Sequence, residues 1–86
     1  WNNITNSGSG IAIGVNASTA CAANDNNEVE SNIVGNNGVG VEIVVRSGCA
    51  ASQTGNQISH NTLFFNSTAI TDQGVGTVES GNRIVP

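Results

Sequence analysis

The sequence predicts an all-β chain wound as a β-solenoid of about three coils, with three short strands per coil. Three observations lead there. The 86 residues include eight Ile and ten Val at ordered spacing. Short motifs return after roughly 28 or 29 positions, the mark of a stacked repeat. Fourteen Asn and 11 Gly bound most of the apolar stretches, as residues that turn a backbone do.

The elements follow in order. An Asn-x-(Ile/Val) step stands at Asn27-Glu28-Val29, Asn56-Gln57-Ile58 and Asn82-Arg83-Ile84. A second series runs five residues behind it as Asn32-Ile33-Val34 and Asn61-Thr62-Leu63, with Asn2-Asn3-Ile4 as first member. A third element joins residues two apart: Ile11-Ala12-Ile13, Val39-Gly40-Val41 and Thr68-Ala69-Ile70. Each alternates with period two, so one side of each strand faces inward. The coils are expected at approximately 1–26, 27–55 and 56–81, with 82–86 starting the next, all in one domain.

Stacking these coils aligns like with like. Val29, Ile58 and Ile84 are expected as one inward column, Ile4, Val34 and Leu63 as another, and Ile13, Val41 and Ile70 as a third. Asn27, Asn56 and Asn82, and likewise Asn2, Asn32 and Asn61, fall at turns where side-chain amides can bond along the stack. The segment Thr71 to Gly81 departs from the pattern because Asp72 replaces the apolar residue of the Val15 and Ile43 column. That coil is expected to be distorted or to turn early.

The rhythm Asn27-Glu28-Val29-Glu30-Ser31-Asn32, repeated as Asn56-Gln57-Ile58-Ser59-His60-Asn61, resembles that of the right-handed parallel β-helix proteins, the pectate-lyase-like superfamily. The resemblance covers nearly the whole chain. It implies the fold and its right hand, and it says little about function.

Cys21 lies ten residues after Ile11 and Cys49 ten after Val39, inside the matching tripeptides Cys21-Ala22-Ala23 and Cys49-Ala50-Ala51. Parallel neighbours about 4.8 Å apart fall within the roughly 4.4 to 6.8 Å that a disulfide spans between Cα atoms. A Cys21–Cys49 bridge between the first two coils is expected, and with it an oxidising, extracellular or cell-surface location. The sequons Asn3-Ile4-Thr5 and Asn16-Ala17-Ser18 offer Asn3 and Asn16 as glycan acceptors on a secreted chain. Asn66, in Asn66-Ser67-Thr68, is the poorer acceptor because it can belong to a ladder.

Composition excludes several partners. The net charge is −4, with Arg46 and Arg83 the only basic residues besides His60. Nucleic-acid binding, which needs clustered Lys and Arg, is not expected. Membrane insertion is not expected either, since no run approaches the roughly 20 apolar residues of a spanning helix.

The resemblance also implies a test for catalysis, because carbohydrate-active members of that superfamily use clustered Asp, often with calcium or a nearby Arg or Lys. No such cluster is readable. Asp25 and Asp72 stand singly at turns, while Glu28 and Glu30 share the outward face of one strand, a solvated edge more than a calcium site. His60 has no Ser, Cys or acid placed beside it by the register, and two Cys with a distant His make a poor metal set. The chain is therefore expected to be no enzyme and to hold no metal or cofactor. An ice-binding surface would need regular Thr-x-Thr arrays, which are missing.

The chain lacks an initiator Met and a recognisable targeting segment, so it reads as a processed product, an excised fragment or a designed chain. Strand-like residues run from Asn2 to Val85, with open edges expected at both ends. Laying Pro86 before Trp1 of another copy makes the Asn82 to Asn2 step six residues, against five for Asn27 to Asn32. The assembly ends are thus Trp1, Asn2, Ile4, Asn82, Ile84 and Pro86. The partner expected is a second copy stacked head to tail into an extracellular filament, with lateral contacts through Ile33, Val44 and Phe64. The alternative is a module of a larger extracellular protein that binds or cleaves polysaccharide.

One outcome follows from the cysteines alone. The unreduced chain should weigh two hydrogens less than the reduced one, and reduction should lower unfolding stability by about 3 to 4 kcal/mol. Intact-mass and denaturant measurements with and without reductant check both.

Overall fold

The structure, a computed structural model, describes residues 2–5, 7–14, 23–44 and 53–86. Among the described residues ten strands follow one another: β1 (Asn3–Thr5), β2 (Ser9–Gly14), β3 (Glu28–Glu30), β4 (Ile33–Gly35) and β5 (Val39–Val44), then β6 (Gln57–Ser59), β7 (Thr62–Phe64), β8 (Thr68–Asp72), β9 (Val78–Ser80) and β10 (Arg83–Val85). No helix occurs among the described residues.

The strands form three sheets, ordered β1-β4-β7-β10, β2-β5-β8 and β3-β6-β9. Every pairing is parallel. The chain visits the sheets in fixed rotation, so each circuit lays one strand on each. This is an all-β architecture compatible with a parallel β-solenoid.

Sterics at the corners make the rotation possible. Between the third sheet and the first, Ser31, His60 and Gly81 stack in the left-handed region at φ 59, 55 and 65°. Asn26, Gly55 and Gly76 do the same before the third sheet, and Asn36 and Phe65 after the first. A single left-handed residue turns the chain sharply between two extended runs. Gly81 has a second reason to lack a side chain, since a Cβ there would lie 2.8 Å from Cδ2 of His60.

The core is one continuous strip. Val29, Val34, Val41, Ile43, Ile58 and Leu63 are buried, with Ile11, Ile13, Ala69 and Ile70 packed partly against them. Of the buried apolar residues described, Val34, Val41, Ile43, Ile58 and Leu63 belong to β4 through β7, the strands with a neighbour on either side, and Val29 belongs to the edge strand β3.

Two expected columns are corrected by the register. Ile84 pairs with Leu63 and so extends the Ile4, Val34, Leu63 column. The partner of Ile58 is Glu79. The cause is a short last circuit, with 21 residues from Asn61 to Asn82 against 30 and 29 for the two before it. In the second sheet Ile11, not Ile13, aligns with Val41 and Ile70, while Ile13 aligns with Ile43 and Asp72. Val39 therefore pairs with Ser9, so the ten-residue count that set Cys21 beside Cys49 begins from unequal positions. Both cysteines, with Trp1, Val15 and Asn16, lie outside the described residues.

Asp72 explains the early turn. Its Oδ1 accepts from the Gly74 N–H at 2.9 Å and the Thr77 hydroxyl at 3.0 Å, closing a tight loop that lies over residues 53–56 through Val75 N–H to Gln53 O and Gly55 N–H to Val75 O.

Burial sets the expected response to truncation. Leu63→Ala, at a fully buried site, should cost about 3 kcal/mol. Ile84→Ala, in the same column but 54% exposed, should cost less than about 1 kcal/mol. Urea unfolding of the two variants measures the difference.

Candidate functional site

The chemistry of this chain is concentrated in three columns of side-chain amides at the corners. In the first, the backbone N–H and Nδ2 of Asn2 both donate to Oδ1 of Asn32, at 3.0 and 3.2 Å. Asn32 donates in the same way to Asn61, and Asn61 to Asn82, at 2.9 to 3.1 Å. Asn61 Nδ2 also reaches Val29 O at 2.8 Å, and Asn82 Nδ2 reaches Ile58 O at 2.9 Å. Each amide thus ties the backbone of two circuits together, and Asn61 is buried while doing so.

Asn82 belongs to this column, which corrects its expected place above Asn56. Asn27 and Asn56 form the second column alone, with Asn27 N–H and Nδ2 donating to Asn56 Oδ1 at 2.9 and 3.0 Å. The position above Asn56 falls to Thr77, next to Val78 in the pairing of β9 with β6. Thr77 donates instead to Asp72, which leaves the buried Nδ2 of Asn56 without a partner.

A third column was not read from the sequence. Ser7 N–H donates to Asn37 Oδ1 and Asn37 N–H to Asn66 Oδ1, at 2.7 and 3.0 Å. Asn37 Nδ2 reaches Ile4 O and Asn66 Nδ2 reaches Val34 O. The 29-residue step from Asn37 to Asn66 was the available signal, hidden because its first position is taken by a serine backbone N–H.

The bonds to Asn Oδ1 all run one way, each circuit donating to the next, while the Nδ2 bonds to backbone carbonyls run back to the preceding circuit. The ends of the first column therefore differ in kind. Asn2 presents an Oδ1 that accepts nothing among the described residues, and Asn82 presents a backbone N–H that donates to nothing there. Around Asn2 the edge is formed by β1, β2 and β3, with the inward residues Ile4, Ile11 and Ile13 only partly buried. Around Asn82 it is formed by β10, β8 and β9.

The expectation that the two ends meet in phase is corrected here. Asn2 and Asn82, like Ile4 and Ile84, hold equivalent places in one sheet. A copy that began at Asn2 directly after Asn82 would skip a strand in each of the other two sheets. Pro86 is exposed.

The expected lateral residues are partly engaged. Phe64 lies across Gly35, where a side chain would strike its ring, and Ile33 and Val44 are half-buried. The aromatic that faces solvent is Phe65, 60% exposed, edge-on to Phe64 with ring centroids 5.7 Å apart. Asn3, the described glycan acceptor, is exposed.

The acidic side chains are placed as follows. Asp25 accepts from Thr54 N–H at 2.8 Å, and Glu42 accepts from the Ser9 hydroxyl at 2.5 Å. His60 does have an acid beside it, contrary to expectation, since its Nδ1 lies 3.8 Å from Oε1 of Glu30. Both side chains are more than half exposed, where such a pair contributes little. Among the described residues no three His, Cys, Asp or Glu converge as a metal site.

Comparison of the chain with protein-family models, with characterised proteins and with solved structures finds no match.

The amide columns set two opposite expectations. Asn61→Ala strands buried polar partners in two circuits and should cost about 3 kcal/mol, whereas Thr77→Asn gives Asn56 Nδ2 an acceptor and should add about 1 kcal/mol. Chemical denaturation of both variants measures the signs.

Proposed function

We propose that this chain is a non-catalytic structural unit of an extracellular assembly, a right-handed parallel β-helix of the pectate-lyase-like kind, and that its Asn2 face receives another coil. The observation carrying this reading is the one-way amide column, which ends at Asn2 in an unused acceptor surrounded by partly buried Ile4, Ile11 and Ile13. An incoming coil that offers an Asn at the matching corner meets a surface already in register with it. The right hand is supported by the general rule that a crossover between parallel strands of one sheet is right-handed. The extracellular setting rests on the cysteines and the Asn3 sequon.

A second reading, the head-to-tail filament of identical copies, has one specific observation in favour. The donor at Asn82 complements the acceptor at Asn2, so two ends of the same chain match chemically. Against it, β1 and β10 claim the same place in the first sheet, and one must give way at each junction. The alternative, a module of a larger extracellular protein that binds or cleaves polysaccharide, would also supply the further coils that the Asn2 face receives.

Hydrogen exchange tests the first reading on material as its source secretes it. The amides of β1, β2 and β3 on the Asn2 face should be at least roughly a hundredfold more protected there than in the isolated chain, the effect of covering an open edge. Equal exchange in both preparations would sink the proposal. Electron microscopy of the purified chain at high concentration decides the second reading, which requires regular filaments.

A further inference from the structure

The face around Asn82 differs from the face around Asn2 in a way that bears on what can stack on it. Resting on the reading of stacked coils above, we infer that Asp72 and Glu79 close this face to a following coil. They act as a stop against continued growth in that direction.

Asp72 stands above Ile13 and Ile43 in the second sheet, and Glu79 above Val29 and Ile58 in the third. Ile43 and Ile58 are fully buried, while Asp72 and Glu79, on the edge strands β8 and β9, are exposed. With the β1 of a following copy giving way to β10, the same registers in the other two sheets would set its Ile13 on Asp72 and its Val29 on Glu79. Among the described residues no Lys or Arg would accompany the two carboxylates into the apolar strip, since Arg83 occupies an outward position in β10, aligned with Thr62 and Ile33. Burial of an unpaired carboxylate is strongly unfavourable. Inward-pointing charge is also a recognised way for an edge to refuse a further strand. The Asn2 face carries apolar residues at all the corresponding positions, Ile4, Ile11, Ile13 and Val29. The asymmetry is therefore chemical as well as positional.

The test compares the full chain with the double substitution Asp72→Asn and Glu79→Val. Asn at 72 keeps an Oδ1 for the Gly74 N–H and the Thr77 hydroxyl, so the early turn is preserved. A control carries Asp25→Asn and Glu28→Val, the same changes of type at two exposed positions of the first circuit. Sedimentation and electron microscopy are read on all three after circular dichroism has established folding. The stop predicts that only the Asp72, Glu79 variant forms ordered end-to-end stacks, at concentrations at least roughly tenfold lower than either of the others. If that variant fails to fold, Asp72→Asn with Glu79→Gln, which keeps both side-chain shapes, should associate in the same direction more weakly.

Two results overturn the inference. Ordered stacks of the unmodified chain would do so while upholding the filament reading. A folded variant that remains single would do so while leaving the proposal for the Asn2 face untouched, since that face is tested by exchange.

Discussion

Everything in this structure depends on the amide that sits inside a corner and binds two circuits at once. A buried Asn is ordinarily a liability, because each unsatisfied donor or acceptor carries a desolvation penalty. Here the penalty is avoided by repetition. Asn32 and Asn61 take their hydrogen-bond partners from the circuits on either side, so the side chain is fully used only when the stack is in register. The backbone bonds alone would permit a strand to slide, whereas a slide of one residue would empty the corner of its amide.

That constraint accounts for the small size of the core. Among the described residues six apolar side chains are buried, and the corners share with them the work of fixing register. It also accounts for the low charge. Aligned circuits place like residues next to like, and neutral amides pair along such a column where equal charges would repel. The outward carboxylates on β3 face Gln57 and Ser59 in the neighbouring strand, not further acids.

Much of this was legible in the sequence because the repeat is written twice, once in the apolar residues and once in the asparagines. Parallel strands, the three-strand circuit and the column from Asn2 through Asn61 all follow from spacing. The last circuit misled because Asn82-Arg83-Ile84 fits either series and its distance from Asn56 is nearer the usual repeat. A step of five residues back from Asn82 reaches Thr77, just as five back from Asn61 reaches Asn56, and that smaller count gives the right column. The slip at Ile11 has a different origin. Gly10 and Gly40 lie inside β2 and β5 where a side chain would strike Gly40 O and Ala69 O respectively, and a glycine adds nothing to the hydrophobic period that would fix the register. The columns at Ser7, Asn37 and Asn66 were obscured because a backbone group can stand in for a side chain without leaving a trace in the residue type.

The spacing of partners has a consequence for the order in which the chain can fold. No strand pairs with its neighbour in sequence, and every partner lies 21 to 30 residues away. The first pairing must therefore close a loop of that size before any contact rewards it, which makes nucleation slow relative to local structures. Once β4 through β6 are held by a second circuit, each further strand adds to an existing edge at little extra loss of chain freedom, as in other linear arrays. The folding barrier is thus met once, in the middle of the molecule, and the two ends are the parts that form last and open first.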